Sequence, residues 1–253
     1  MPIAIFYREE LKEYDFGSGH PFHGQRAEIV LKFIKEIFPK ESYQIIKAEP
    51  ATDKDLLLIC QKNYIDFTRE YFKAANLGLD SNNRFCQYHS FDNKPIGRPG
   101  KIEEAARIIV GQAKKASDLI QGGEFKKAVS LGGGLHHAKS NFGEGFCLYN
   151  DVAFAGKYLI EKHNLERILI LDTDAHAGNG TAEYFYEDPR VLFIDIHQDP
   201  QTLYPGTGFW WEIGSGKGRG YTVNLSLPPG AGGSSYQYLF DKIIFPLTEK
   251  FRP

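Results

Sequence analysis

The chain has 253 residues, of which 42% are hydrophobic and 25% are charged, and its formal net charge is -2 at pH 7. This length and balance predict one globular domain over residues 1–253, and the nearly neutral charge gives no electrostatic reason to expect nucleic acid or an anionic membrane as a partner. Three cysteines without a CxxC pair favour neither a disulfide framework nor a thiolate zinc site, and without a signal-peptide pattern or a membrane-length apolar run we expect a cytoplasmic protein.

The first part of the chain predicts one short strand followed by helices. "IAIFY" (residues 3–7) is an apolar run typical of a short buried strand, and "RAEIVLKFIKEIF" (residues 26–38) carries apolar residues near the helical period. An amphipathic helix is predicted over residues 51–76, where Thr52 and Asp55 form a capping-box pattern at its start.

The next part combines a long loop with a long helix. Residues 81–101 are rich in Asn, Pro and Gly, so they predict a long ordered loop. Loops of that length in a compact domain are usually functional or disordered. Residues 101–121 have a well-marked apolar stripe and predict a helix.

The rest of the chain alternates short apolar strands with helices. The strands are "KAVS", "RILILD", "RVLFIDIHQ" and "GYTVNLSLP", and the helices between them are "NDVAFAGKYLIEKH" and "GTAEYFYED". This alternation predicts an α/β fold with a predominantly parallel sheet covered by helices on both faces. Ligands of such sheets bind at the carboxyl ends of the strands, where the His, Asp and Gly residues of this chain are concentrated.

A glycine loop after one of these strands ends in two histidines. In "GGGLHHAKS" the glycines Gly132 to Gly134 allow a sharp turn, and His136 and His137 follow at its tip. Neighbouring histidines after a buried strand are hard to explain by packing, and imidazoles suit general acid and base catalysis near neutral pH. We therefore predict a functional pair.

The segment "LDTDAH" places two carboxylates and an imidazole at alternate positions. On an extended strand Asp172, Asp174 and His176 would share one face. Their oxygen and nitrogen atoms are ligands that Zn(II), Fe(II) or Mn(II) accepts, and the lack of sulfur ligands indicates a catalytic rather than a structural metal. One aspartate could instead support a histidine or bind a monovalent cation.

Four motifs in this order resemble a known family: "GGGLHHA", "GFCLYND", "LDTDAHAGNGT" and "LYPGTG". They are similar to the zinc-dependent histone deacetylase superfamily, which includes acetylpolyamine amidohydrolases and acetoin-utilisation proteins. The resemblance begins at "GSGHPFHGQR" and runs to the end of the chain. It implies the three-layer arginase/deacetylase-like α/β fold.

The resemblance also implies a reaction and the residues that perform it. Asp174 and His176 match two of three zinc ligands, with Fe(II) as an alternative metal. His136 and His137 match the tandem histidines, with His137 as general base for the attacking water and general acid for the leaving amine. Asp172 matches the carboxylate that orients His136. The implied reaction is hydrolysis of an acetyl amide, in acetyl-lysine or an acetylpolyamine, by a metal-bound water that the His136/His137 pair activates.

Further matches concern the substrate and a second cation. Gly145, Phe146 and Tyr204 match the tunnel that admits an acetyl-lysine-like chain. Asp92 matches the carboxylate that holds the substrate backbone at the rim. Arg26 matches an arginine of the inner cavity, with a surface residue at a helix start as the alternative. A structural K⁺ site is implied at backbone or side-chain groups of Asp172, Asp174, His176, Asp195 and Ile196.

Two departures from the family pattern carry expectations. Asn179 stands where class I enzymes have a supporting aspartate, and an amide raises the pKa of a neighbouring histidine less than a carboxylate does. In the family a "GFDAH"-like segment with the third zinc ligand and a "GGY"-like segment with a catalytic tyrosine follow further on, whereas this sequence stops at Pro253. We expect a C-terminally incomplete domain without its last strands and helices, arising from truncation, a split gene or degeneration.

Three hypotheses of function result. The first is a zinc-dependent deacetylase acting on an acetylated small molecule or lysine side chain. The second is a remnant that binds metal or acetylated ligand without turnover. The third is an arginase-like dinuclear manganese ureohydrolase, because "DAHA" also occurs there, although such enzymes need more carboxylates. For partners, we expect either a homo-oligomer or a complementary C-terminal chain.

Overall fold

The computed structural model describes residues 1–79 and 83–253. These residues form two compact units, Met1–Leu159 and Ile160–Pro253. Each unit contains a three-stranded sheet of its own, and the assignment of residues 1–253 to one domain stays a prediction. Among the described residues, no helix combines the length and the apolar character needed to span a bilayer.

A parallel sheet organises the first unit. Its strands are β1 (Ile3–Phe6), β2 (Tyr43–Ile46) and β3 (Ala128–Ser130), in the order β2-β1-β3. Both β2 and β3 pair with β1 in parallel, which confirms the strands predicted at "IAIFY" and "KAVS". The strand β2 is not among the predicted strands, because "YQII" has no long apolar run, and only the two ends of the strand are even partly buried.

Several helices begin in this unit. They are α1 (Arg26–Ile37), α2 (Asp53–Leu56), α3 (Lys62–Ala75), α4 (Phe85–Tyr88), α5 (Ile102–Gln121) and α6 (Asp151–His163). Helix α5 packs against β1 and β3 of the sheet. Phe6 of β1 and Leu119 of α5 are buried in one apolar cluster with Phe125. This cluster fixes α5 against the sheet and confirms the long helix predicted over residues 101–121.

The helix predicted over residues 51–76 is two helices, α2 and α3. Its start is confirmed, because Thr52 and Asp55 form both hydrogen bonds of a capping box. The chain then becomes extended at Gln61, whose N–H donates to the carbonyl of Ser140 at 2.7 Å instead of continuing the helix. A tertiary hydrogen bond therefore interrupts a segment that is helical by local pattern.

The apolar residues that identified α1 do not form a buried face. Only Ala27 and Leu31 of this helix are buried. Ile29, Val30 and Phe33 are exposed, because α1 packs along one narrow side against the turn at Glu9–Glu13. The period of three to four residues thus predicts the helix, but it does not show how much of the apolar side is covered.

The loop predicted over residues 81–101 contains short helical segments. Its residues 81 and 82 lie outside the described part of the chain. The helix α4 and a 3₁₀ turn at Phe91–Asn93 follow. Phe85 is buried and its ring centroid lies 4.6 Å from that of Tyr71. This packing against α3 gives part of the segment regular structure that its Asn, Pro and Gly content did not indicate.

The second unit contains the other parallel sheet. Its strands are β4 (Ile168–Asp172), β5 (Val191–Gln198) and β6 (Thr222–Leu227), with β5 in the centre. Its further helices are α7 (Asn179–Phe185), α8 (Gly233–Leu239) and α9 (Phe245–Phe251). The predicted strands "RILILD", "RVLFIDIHQ" and "GYTVNLSLP" and the helix at "GTAEYFYED" are therefore confirmed.

The central strand β5 presents two chemically different faces. Leu192, Ile194 and Ile196 belong to an apolar cluster with residues of α8 and α9. Asp195 and His197 lie at the alternate positions, and both are buried as well. A strand buried on both faces is typical of a parallel sheet covered by helices, which confirms the predicted α/β class.

Candidate functional site

The paired histidines lie on a tight turn after β3. Gly132 and Gly134 both have positive φ angles, of 83° and 96°, which L-residues with side chains rarely adopt. His136 and His137 are both buried, and their ring centroids are 4.1 Å apart. The glycines thus serve the turn that the sequence predicted, and the turn brings two imidazoles into contact.

Asp151, the first residue of α6, holds this turn in place. Its carboxylate accepts hydrogen bonds from the N–H groups of Gly134 at 3.0 Å and Leu135 at 2.8 Å. Burial raises the pKa of Asp151, and these N–H donors and His136 oppose that rise. The neighbouring Asn150 donates to the carbonyl of His136 at 3.1 Å. Asn150 and Asp151 end the motif "GFCLYND", which predicts no role for either residue because their partners lie on another loop.

Gly145, which precedes Phe146, lies against His137. Both residues have left-handed backbone conformations, with φ angles of 60° and 67°. A Cβ atom on Gly145 would collide with the His137 ring, so only glycine lets the "GF" segment approach this imidazole. The Phe146 carbonyl accepts a hydrogen bond from the buried Tyr14 hydroxyl at 2.7 Å. The structure therefore places the predicted tunnel residue Gly145 against one of the predicted catalytic histidines, and Phe146 follows it in the chain.

Asp92 is bound to the same segment. Its Oδ2 accepts a hydrogen bond from the N–H of Gly145 at 3.0 Å, and its other carboxylate oxygen accepts one from Ser90. The Asp92 carbonyl lies 2.9 Å from Nε2 of His20, whose ring packs edge-on against Phe146. Asp92 thus lies beside the predicted tunnel residues of the first unit, as a rim carboxylate would, while its contact with a substrate stays a prediction.

The predicted metal residues lie beyond the end of β4 rather than on it. The strand ends at Asp172, and the chain then bends through Asp174 and His176. The interpretation that all three share one face of an extended strand is therefore wrong. They are linked by turns instead, because the N–H of Asp174 donates to Asp172 Oδ1 at 3.0 Å and the N–H of His176 donates to Asp174 Oδ1 at 2.8 Å.

Asp174 and His176 place two possible metal-ligand atoms close together. Asp174 Oδ1 and His176 Nδ1 are 2.9 Å apart. Zinc binds such atoms at about 2.0–2.2 Å, so two ligands of a tetrahedral site lie roughly 3.4 Å apart. A small separation of the two side chains would fit the ion. Within residues 1–79 and 83–253, no group of three or more His, Cys, Asp or Glu side chains is placed to hold a metal.

Asp195 and His197 form a buried pair on β5, and Asp195 contacts the loop that follows His176. Asp195 Oδ1 lies 3.0 Å from His197 Nδ1, which is ion-pair distance without the alignment of a hydrogen bond. Asp195 Oδ2 accepts the N–H of Gly178 at 2.8 Å, and His197 Nε2 lies 2.8 Å from the carbonyl of Gly208. The pair therefore connects the loop after His176 with the loop that carries Tyr204.

Burial and mutual attraction act in opposite directions on this pair. Burial raises the pKa of Asp195, and the neighbouring charge of Asp172 adds to the rise while His197 opposes it. Burial acts against the charged form of His197, but the Asp195 carboxylate outweighs this and raises the pKa of His197. The predicted role of Asp195 is that of a cation ligand only, and no role is predicted for His197, although "DIH" at the end of a buried strand places both on one face.

Tyr204 and the predicted K⁺ residues lie close to the metal residues of the second unit. The ring centroids of Tyr204 and His176 are 6.1 Å apart. The β4–β5 register places Asp172 directly opposite Asp195, and Ile196 follows on the same strand. These five residues and Tyr204 thus belong to one region of the second unit, and K⁺ binding there stays a prediction.

The remaining predicted site residues are Arg26 and Asn179. Arg26 is exposed at the start of α1, with its guanidinium carbon 4.7 Å from the centroid of the Phe22 ring. This surrounding agrees with the alternative of a surface residue at a helix start. Asn179 is the first residue of α7 and is partly buried. Its role beside a catalytic histidine stays a prediction.

Comparison with known proteins settles the family. A model of the histone deacetylase domain matches residues 20–253. The chain belongs to the histone deacetylase family. This confirms the resemblance expected from the four sequence motifs.

Several relatives of this histone deacetylase family member are close in sequence. The acetoin utilization protein AcuC of Staphylococcus xylosus is 36% identical over 247 residues, which cover 98% of this chain and 63% of the relative. A probable deacetylase of Archaeoglobus fulgidus is 37% identical over 260 residues, or 67% of its length. The chain thus spans about 63% of the length of the AcuC relatives that it matches.

A solved structure agrees in fold with this histone deacetylase family member. The crystal structure of an HDAC homolog complexed with SAHA superimposes with a TM-score of 0.87 at 27% sequence identity. The match covers 100% of this chain and 66% of the other. The three-layer α/β fold class is therefore established.

Proposed function

We propose that this chain catalyses the hydrolysis of acetyl amides, as its membership of the histone deacetylase family suggests. The observation that carries the proposal is the buried contact between His136 and His137 on a turn that Asp151 fixes. Two imidazoles held in this way are suited to move a proton toward and away from a reacting amide. The substrate class that we propose is an acetylated lysine side chain or an acetylated polyamine.

The first unit provides the acid and base chemistry. His137 takes a proton from water as the water oxygen attacks the acetyl carbonyl carbon. When the C–N bond breaks, His137 returns the proton to the leaving amine, and the products are acetate and a free amine. His137 is assigned this role rather than His136 because Gly145 packs directly against its ring.

The second unit provides the metal ligands. Asp174 and His176 would hold a zinc ion, because their donor atoms lie close enough to be two of its ligands. When bound, zinc acts as a Lewis acid that polarises the amide carbonyl. We propose that Asn179 is a polar partner of a histidine in this region, and that its amide raises the pKa of that histidine less than an aspartate would. Fe(II) has the same ligand preference and is the alternative metal.

Aromatic side chains would contact the stem of the substrate. Phe146 is partly buried among Phe16, His20 and Phe22, and Tyr204 lies beside His176. Such rings suit the methylene groups of a lysine or polyamine chain. Asp92 would accept a hydrogen bond from the substrate backbone, for which it would have to release a present partner.

The test is the release of acetate from an acetyl-lysine peptide and from an acetylated diamine. Removal of a general acid or base costs about 100-fold to 10,000-fold in rate, so His137→Ala should lose at least 100-fold in kcat/KM. The matched control is His23→Ala, because His23 is exposed and should leave the rate unchanged. Equal rates for both variants would contradict the assignment.

The other two hypotheses of function can be tested on the same purified protein. Zinc and hydroxamate binding without acetate release would support a non-catalytic remnant. Two manganese ions per chain together with release of urea from a guanidino compound would support the ureohydrolase. The buried histidine pair favours the deacetylase over the ureohydrolase, because a dinuclear manganese site needs additional carboxylates rather than a pair of histidines.

A further inference from the structure

Phe146 has a backbone conformation that aromatic residues rarely adopt. In the described part of the chain, three residues other than glycine have a positive φ, namely Phe146, Asn164 and Arg252. Asparagine tolerates this region better than most residues, and Arg252 follows the end of α9. A bulky residue keeps a strained conformation only where its surroundings impose it, and such residues cluster at functional sites. Phe146 therefore needs groups that hold its backbone, and the structure contains them.

The hydroxyl of Tyr14 holds the backbone around Phe146. It donates a hydrogen bond to the carbonyl of Phe146 at 2.7 Å and accepts one from the N–H of Leu148 at 3.2 Å. Tyr14 is only 2% exposed, so water does not compete for these two bonds. The phenol ring is rigid, and its two partners are separated by a single residue. One buried side chain from a distant part of the sequence thus fixes the turn that contains Phe146.

Two other buried side chains hold the residues that follow Phe146. The side-chain amide of Asn93 donates to the carbonyl of Cys147 at 3.0 Å, and the hydroxyl of Tyr64 donates to the carbonyl of Leu148 at 2.7 Å. Asn93 and Tyr64 are both fully buried. Among these three side chains, Tyr14 alone bonds to the strained residue itself. Tyr64 therefore provides a close comparison, because it bonds to the same segment without bonding to Phe146.

The ring of Tyr14 also contacts the rings that surround Phe146. It packs edge-on against Phe16 and Phe22, with centroid distances of 5.7 Å and 5.3 Å. Phe16, Phe22 and His20 in turn contact the ring of Phe146, at 6.3 Å, 6.2 Å and 4.8 Å. Tyr14 thus contacts both the backbone of Phe146 and two of the three rings against which the Phe146 side chain packs.

We propose that Tyr14 is a positioning residue of the candidate site, because it holds Phe146 in the conformation that directs the Phe146 ring toward the substrate. This step rests on the proposed function, in which the Phe146 ring contacts the methylene stem of an acetylated lysine or polyamine. Tyr14 is buried, and its hydroxyl is engaged by Phe146 and Leu148. It therefore acts through Phe146 and does not contact the substrate.

The test compares two tyrosines that lose the same atom. Tyr14→Phe removes a buried hydroxyl and keeps the packing of the ring, and Tyr64→Phe does the same at Leu148. One hydrogen bond corresponds to about threefold to tenfold in an equilibrium. With zinc added, Tyr14→Phe should lower kcat/KM for an acetyl-lysine peptide by this factor. Tyr64→Phe should stay near the parent value, although urea denaturation should show that both variants are destabilised.

A double variant separates positioning from a loss of stability. In the Phe146→Ala background the ring is absent, so the hydroxyl of Tyr14 has no ring to position. Tyr14→Phe should then change kcat/KM by less than about twofold, while it should still lower the urea midpoint. The proposal is overturned if Tyr14→Phe lowers kcat/KM equally with and without the Phe146 ring. It is also overturned if Tyr14→Phe and Tyr64→Phe lower kcat/KM equally.

Peptide binding distinguishes a failure of this proposal from a failure of the proposed function. Affinity for the acetyl-lysine peptide is measured by titration calorimetry without added zinc, on the parent chain and on the same variants. Binding that Tyr14→Phe weakens, without acetate release from the parent, would remove the deacetylase and keep the role of Tyr14. Acetate release that Tyr14→Phe leaves unchanged would keep the deacetylase and remove that role. A parent chain with neither binding nor release would remove both.

Discussion

Asp195 and His197 form an ion pair that water scarcely reaches, with 3.0 Å between Oδ1 and Nδ1 and exposed side-chain fractions of 1% and 0%. The pair joins two loops of the second unit, because Asp195 accepts the N–H of Gly178 and His197 contacts the carbonyl of Gly208. The segment with the predicted metal ligands and the segment with Tyr204 therefore depend on the same two side chains for their positions.

Replacing His197 should destabilise the protein strongly. His197→Phe keeps a ring of similar shape but leaves the buried Asp195 carboxylate without its ion-pair partner, which costs about 3–5 kcal/mol in free energy of unfolding. The measurement is urea denaturation. The double variant Asp195→Leu with His197→Phe should lose less than the sum of the two single changes. Two results would contradict an energetic coupling between Asp195 and His197. One is a loss below about 1 kcal/mol in free energy of unfolding for His197→Phe, and the other is a double variant whose loss equals the sum of the two single losses.

The close approach of Gly145 to His137 gives a second prediction. Gly145→Ala adds a Cβ atom that collides with the imidazole, in addition to the strain of a positive φ. The matched control is Gly123→Ala, where φ is +74° but no atom lies near the added Cβ. The control should cost about 1–2 kcal/mol through backbone strain alone. Gly145→Ala should cost more in urea denaturation and also abolish acetate release, and equal losses would contradict the contact.

The buried His89 predicts a dependence of stability on pH. Burial lowers its pKa to about 3, from 6.5 in an unfolded chain. Between these values the unfolded state binds more protons than the folded state, so stability is complete above pH 6.5 and is lost as the pH falls. The slope reaches about 1.4 kcal/mol per pH unit, or about 2 kcal/mol between pH 7 and 5.

The comparison that isolates this effect uses a residue that does not titrate. His89→Gln should lose about 2 kcal/mol less than the parent chain between pH 7 and 5 in urea denaturation. Identical pH profiles for the parent and His89→Gln would show that His89 is not the source of acid sensitivity.

Local sequence pattern predicted much of the fold and less of the site. The strands β4 and β5 and the helix α5 follow from short-range periodicity, and the turn with His136 and His137 follows from its glycines. The break at Gln61 could not be predicted, because it depends on a hydrogen bond to Ser140 from a distant part of the chain. The contact of His197 with Gly208 was also hidden, since it requires the tertiary placement of a loop against β5.

Metal dependence of acetate release tests the account most directly. The metal-free chain, the zinc-loaded chain and zinc-loaded His176→Ala are compared on one acetyl-lysine peptide, with bound zinc measured by equilibrium dialysis. We predict release only with zinc, and weaker zinc binding with at least 100-fold slower release for His176→Ala. Release that is equally fast without metal, or unchanged zinc binding and rate in His176→Ala, would contradict it.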